Sequence, residues 1–316
     1  MGQCSCNQPV SNLGMPGCIP QMGIITRVAF MPVFKQDGTL NSIDTTLAID
    51  SAYFDTLQYH IDPFQRLYPL PYDLENVELP KDETVYQTFN SGTKRKIKDG
   101  ERHFTALLPE AGNVIIGKIE KMGCSSKVGV FLIDNKNQII GIERNGNAGK
   151  LFPIPLADST IDAMFSFAND SEVSATTLMF DFDKSVADEM LSLLENSEMN
   201  YLDIRTILKG KMDLNIVEVG TSSATGFTAK ITLDYGTAKT KIPVKGLLLA
   251  DFNLFNTTTS LAVVPTSVTE SVDGEYTFVI PSQTLTNKIR VGLNVTTATK
   301  PFDASRFALA ANFITI

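Results

Sequence analysis

"VVPTSVTESVDGEYTFVIPSQTL" (residues 263–285) sets apolar residues at alternate positions on both sides of one Asp-Gly pair. Successive side chains of a strand point to opposite faces, and Asp-Gly tolerates the positive φ of a tight hairpin turn. The stretch therefore reads as two antiparallel strands. Its neighbours follow the same pattern: "FTAKITLDYG" (227–236), "GLLLADFNLF" (246–255), "NKIRVGLNVTT" (287–297) and "RFALAANFITI" (306–316) are short strand-like runs. Turn signals recur every 8–12 residues or so, the spacing of a β-sandwich, and about 100 residues is the usual size of an immunoglobulin-type domain. No cysteine follows Cys124 and the chain has no tryptophan, so the disulfide-and-tryptophan core of antibody domains is absent. Phe227, Phe252, Phe255, Tyr276, Phe278 and Phe307 are available to fill the core instead. We place this sandwich at 213–316, with "LKGKMDLNIVEVGTSSATG" (208–226) as the boundary segment.

Upstream, residues 23–212 read as a second, mainly β domain with one or two helices. "IITRVAFMPVF" (24–34) is a strand closed by a turn at Asp37-Gly38. "DSAYFDTLQYHI" (50–61) is a helix with Ser51 as N-cap and Pro63 beyond its end. "ETVYQTF" (83–89) and "RHFTALL" (102–108) are strands joined by a long loop, and "VGVFLID" (128–134) with "QIIGIE" (138–143) forms a hairpin. "TTLMFDFD" (176–183) alternates Leu178, Phe180 and Phe182 against Thr177, Met179 and Asp181, as a half-buried strand does. "DKSVADEMLSLLENSEM" (183–199) is the strongest helical pattern. Val186, Met190, Leu193 and Leu194 share a stripe, and Ser185 with Asp188 resembles a capping box. Residues 1–22 hold three each of Pro, Gly and Cys without periodicity and read as an arm.

The net charge of −8 is unevenly placed. Residues 213–316 carry eight acidic and eight basic side chains, so the whole excess lies in 1–212. That distribution argues against ordinary duplex binding, which clusters Lys and Arg to neutralise phosphates. No run of 18 apolar residues marks a membrane span, and "MGQCSCNQPVSNLG" lacks the basic start and apolar core of a secretory signal.

Motifs for catalysis are missing. The two histidines, His60 and His103, have no partner motif, and neither G-x-S-x-G nor H-E-x-x-H occurs. "NGNAGKL" (145–151) has the wrong glycine spacing for a phosphate loop and reads as a turn. Cys4, Cys6 and Cys18 lack the paired C-x-x-C spacing of a zinc site and read as reduced thiols. "MGQCSC" puts Cys6 where myristoylation needs Ser or Thr. Asp181 and Asp183 supply the carboxylates of a glycosidase, but such pairs arise by chance among 35 acidic residues, and no tryptophan offers a sugar platform. We therefore expect no enzyme, no cofactor and no metal. The one basic cluster, "SGTKRKIKDGERH" (91–103), holds Lys94, Arg95, Lys96, Lys98 and Arg102. Its aromatic neighbours Phe89 and Phe104 do not interleave with the charges as in a nucleic-acid site. These five residues are instead expected to meet the acidic surface of a neighbouring subunit.

In layout the chain resembles the major tail (tail tube) proteins of long-tailed bacteriophages. The resemblance rests on the "ETVYQTFNSGTKRKIKDGERHFTALL" hairpin (83–108), on "TTLMFDFD" followed by "SVADEMLSLLENSEM", and on the "SVTESVDGEYTFVI" hairpin (267–280). It implies a β-sandwich or barrel with a flanking helix that forms hexameric rings, stacked into a tube, with an immunoglobulin-like domain outside. It further implies a virion protein assembled in the bacterial cytoplasm, whose partners are its own copies and other tail or neck proteins. Genomic DNA would pass through an acidic bore without specific binding, and the outer domain would be available to a host surface. A neck ring, tail hub or head decoration protein would share this layout, as would a bacterial adhesion module.

Overall fold

The computed structural model describes residues 21–60, 62–109, 113–124, 127–144, 146–171, 173–237, 239–293, 302–303 and 313–316. Along the chain, the first strands are β1 (Ile25–Pro32), β2 (Ile43–Asp44), β3 (Tyr68–Pro69), β4 (Glu75–Glu78), β5 (Val85–Thr88), β6 (Lys94–Lys98) and β7 (His103–Leu108). Next come β8 (Val128–Asp134), β9 (Ile139–Ile142), β10 (Lys150–Leu151), β11 (Ile154–Pro155), β12 (Asp162–Ser166), β13 (Ala175–Asp181) and β14 (Leu191–Leu194). Helix α1 (Ser51–Gln58) follows β2, α2 (Asn113–Gly123) follows β7 and α3 (Ile204–Ile207) follows β14. The protein is mainly β, and among the described residues none of its sheets closes on itself, so the expected sandwich-or-barrel is an open, layered arrangement.

Three layers build this part. A sheet ordered β14-β9-β8-β1-β3, with β11 beside β8, lies in the middle. Every residue of β8 is buried, which is why "VGVFLID" is apolar without alternation. Val128, Val130 and Leu132 face one core with Phe104, Phe180 and Ile119, while Phe131 and Ile133 face another with Phe54, Ile204 and Leu208. The first core is shared with the sheet β12-β13-β7-β4 and the second lies under α1 and α3.

Two helix expectations are corrected. The 183–199 segment is not a helix. It makes a 3-10 turn at Asp188–Met190, then β14, then another 3-10 turn at Asn196–Met199. Strand β9 needed a neighbour, and Leu191–Leu194 pairs with Ile142–Ile139, so sheet completion overrode local periodicity. Ser185 forms no capping box; its N–H donates to Asp183 Oδ1 at 2.9 Å. The helix that packs on the first core is α2, which was not expected from the sequence. In α1 the N-cap is Asp50, whose carboxylate accepts from Tyr53 N–H at 2.8 Å, rather than Ser51.

The segment 208–226 is largely strand: β15 (Met212–Ser223) begins the second β unit. It is followed by β16 (Gly226–Gly236), β17 (Lys241–Pro243), β18 (Phe252–Asn256), β19 (Leu261–Val263), β20 (Ser267–Val272) and β21 (Glu275–Val279). The last strands are β22 (Lys288–Leu293), β23 (Phe302–Asp303) and β24 (Phe313–Thr315). Two sheets, β20-β21-β16-β15-β23 and β19-β18-β22-β24, enclose one core. Phe278 stacks on Phe227 at 4.7 Å and meets Phe252 edge-on at 4.9 Å. Tyr276 is fully buried, and its hydroxyl donates to Val244 O at 2.9 Å. Phe255 lies outside this core beneath Arg290, and Phe307 lies outside the described residues. The Asp273-Gly274 turn joins β20 to β21, with Gly274 at φ +74°. Lys118 of α2 ties the two β units together through ion pairs to Asp213 (2.8 Å) and Asp234 (3.8 Å).

Candidate functional site

Two features stand out from the packed layers. The first is the open face of the β12-β13-β7-β4 sheet. Alternation sends Phe104, Ala106, Leu108, Leu178 and Phe180 into the core, so His103, Thr105, Leu107, Thr177, Met179 and Asp181 face outward. The register sets Glu75 opposite Leu107, Glu78 opposite Thr105 and Asp162 opposite Met179, placing these carboxylates on the same outer face. No Lys or Arg occurs in these four strands. The face is acidic because the strand sequences exclude Lys and Arg, not because of a single cluster.

Both edge strands of this sheet, β12 and β4, have one partner each among the described strands. Every pairing across the sheet is antiparallel, so β12 and β4 run in opposite directions. At the β12 edge, Ala163 N–H donates to Asp162 Oδ1 at 2.8 Å instead of to the ladder. Strand parity then turns the N–H of Phe165 outward as well. The neighbouring surface is apolar and exposed at Met164, Phe167 and Val173.

The second feature is a hairpin where a loop was expected. β5 pairs with β6, so the chain between "ETVYQTF" and "RHFTALL" is itself a strand, and β7 pairs with β4 and β13 instead. The tip is a tight turn: Gly92 N–H donates to Phe89 O at 2.8 Å with φ +79°. All residues of β5 and β6 are exposed, including Tyr86 and Ile97. An isolated two-stranded ribbon of this kind is marginal in water and gains from a partner.

The five basic residues do not act alike. Lys94, Arg95, Lys96 and Lys98 lie on β6, whereas Arg102 lies below it at the hairpin root. Lys96 pairs with Asp99, and Lys98 with Glu101 at 3.2 Å. Arg102 pairs with Asp188 at 3.0 Å and donates to Leu79 O, so its role is to hold the root. Lys94 has no carboxylate partner among the described residues, and Arg95 lies over the Phe89 ring at 5.8 Å. Of the five, only these two have no carboxylate partner among the described residues.

The other residues singled out from the sequence are in structural contacts. His60 Nδ1 accepts from Asp62 N–H at 3.1 Å. Asp183 accepts from Lys127 Nζ at 3.3 Å and from the Ser185 backbone. Gly146 and Gly149, both at positive φ, sit in the 145–151 segment where a turn was read. Cys4, Cys6 and Cys18 lie outside the described residues, and Cys124 is exposed. Among the described residues, no helix is long and apolar enough to cross a membrane.

His103 marks the junction of the two features. Its Nδ1 lies 2.6 Å from Asp181 Oδ1 and its Nε2 3.3 Å from Asp82 Oδ2. Hydrogen bonding to Asp181, then to Asp82, raises its pKa above the ordinary 6.5. The sign follows: this contact contributes fully below pH 6.5 and is lost as pH rises through the raised value. An NMR titration of His103 should have its midpoint above 6.5, and Asp181→Asn should lower it. A wild-type midpoint at or below 6.5 would remove His103 from the root contact.

No protein-family model matches the chain, and no curated protein matches it.

Proposed function

We propose that this chain is a structural subunit that assembles with copies of itself into rings and a tube, as phage tail tube proteins do, around an acidic conduit for DNA. The observation that carries this reading is the four-stranded sheet with an acidic outer face and two unpaired edges of opposite direction. When β12 of one copy lies beside β4 of the next, the new pairing is antiparallel, like every pairing inside the sheet. One heterologous contact, repeated by rotation, then pairs both edges of this sheet, a liability that proteins otherwise blunt or cover. Glu75, Glu78, Asp162 and Asp181 would face the axis in every copy and repel a polyanion rather than hold it. The net neutral C-terminal β unit would lie outside, as an immunoglobulin-like decoration. In this reading the protein resides in the virion and performs no turnover.

Negative-stain microscopy of the purified chain tests the proposal. Rings or tubes are expected, and a uniform monomer at high concentration would overturn it. Phe165→Pro removes an outward N–H while sparing the ladder to β13, so it is expected to reduce assembly strongly with the monomer still folded. Asp162→Ala removes the carboxylate that occupies the Ala163 N–H, and is expected to assemble faster than wild type.

A further inference from the structure

The geometry points to a docking groove for the β5–β6 hairpin along the free edge of β14, occupied by the hairpin of a second copy. This rests on the self-assembly reading above and names the surfaces of one contact within it. β14 ends the six-stranded sheet, with β9 as its only partner among the described strands. Met190 O accepts from Glu143 N–H at 2.8 Å, so residues 190, 192 and 194 face β9 and Leu193 turns its N–H and C=O to the open side. The groove there has a volume of about 550 Å³ and is lined by Met22, Leu191, Ser192, Leu193, Glu195 and Glu198. Glu143 adds a further carboxylate at its rim, accepting from Ser192 Oγ at 2.9 Å. Among the described residues, no Lys or Arg lines the groove.

The hairpin matches this surface in three respects. β6 has five residues to the four of β14, a suitable length for adding one strand to the sheet. Ile97 and Tyr86 bring exposed apolar area to Leu191, Leu193 and Met22. Lys94 and Arg95, without carboxylate partners among the described residues, meet Glu143, Glu195 and Glu198. Within one chain Lys81 and Arg102 hold the hairpin root to Asp188, residues 96–102 and 182–189 line one cleft of about 900 Å³, and β6 is not paired with β14. The docking is therefore assigned between copies.

A mixing experiment tests it in the full-length chain. One variant carries Lys94→Glu and Arg95→Glu; the other carries Glu143→Lys and Glu198→Lys. Each alone sets like charges against each other at the contact, and sedimentation should show its assembled fraction reduced about tenfold. Mixed one to one, each hairpin meets a groove of opposite sign, and assembly should return. Circular dichroism and thermal melting establish that both variants are folded. If Glu198→Lys disturbs the turn it caps, Glu143→Lys with Glu195→Lys replaces that variant. Normal assembly by either variant alone, or no recovery on mixing, overturns the docking while wild-type rings leave the self-assembly reading standing. Absence of assembly in wild type would remove both.

Discussion

Phe180→Ala is expected to destabilise the protein by about 3–5 kcal/mol, the range for truncating a fully buried phenylalanine. Phe180 is 1% exposed near the C-terminal end of β13. Its ring stacks on Phe104 at 4.3 Å and 3°, meets Phe30 edge-on at 5.9 Å and lies 6.3 Å from Phe182. Phe30 belongs to the middle sheet, whereas Phe104 and Phe180 belong to the sheet with the acidic face, so one side chain joins two layers. Removing it leaves a cavity at that junction, and the surrounding strands, fixed by their ladders, relax only partly. Chemical denaturation measures the loss. A change below about 1 kcal/mol would show that the layers do not depend on this ring. Phe167→Ala on the exposed tip is the contrast, with an expected change within about 0.5 kcal/mol.

Asp134→Ala is expected to cost about 3 kcal/mol, by leaving several backbone donors without their acceptor. The residue is 1% exposed at the end of β8. Oδ1 accepts from Lys136 N–H at 2.8 Å and Gln138 N–H at 2.9 Å, and Oδ2 accepts from Gly23 N–H at 2.7 Å. One carboxylate therefore closes the β8–β9 turn and fixes the entry to β1. Asn137, at φ +60°, completes the turn by donating to Asp134 O at 3.1 Å. Asp134→Asn keeps one acceptor oxygen and should fall between wild type and alanine in a thermal melt. An alanine variant melting with wild type would mean that water replaces all three bonds.

How much of this was legible depended on whether the deciding contact was local. The hairpins at 128–143 and 267–280 were readable because their turns and alternation lie within a few residues. The segment 183–199 was misread because Val186, Met190, Leu193 and Leu194 fit a helical stripe, while what decides their conformation is β9, about 50 residues earlier. Helix α2 had a usable signal in Ile115, Ile116, Ile119 and Met122, obscured by Gly117 and by isoleucines that also favour strands. Strand β6 was read as loop because "KRKIK" lacks strand propensity; its pairing with Tyr86 and Gln87 supplies the conformation. The acidic excess of residues 1–212 was visible as a sum. That Glu75, Glu78, Asp162 and Asp181 share one sheet face depends on registers such as Asp162 with Met179, which join strands far apart in the sequence.

The even number of strands in the acidic sheet sets a rule for the size of any ring made from it. Each copy would add four strands, about 19 Å of circumference at the usual interstrand spacing, so the diameter would change in steps of about 6 Å per copy. Six copies would give a backbone diameter of about 37 Å before strand tilt widens it. Calibre would thus be quantised, and a miscounted ring would reveal itself as a discrete jump in width.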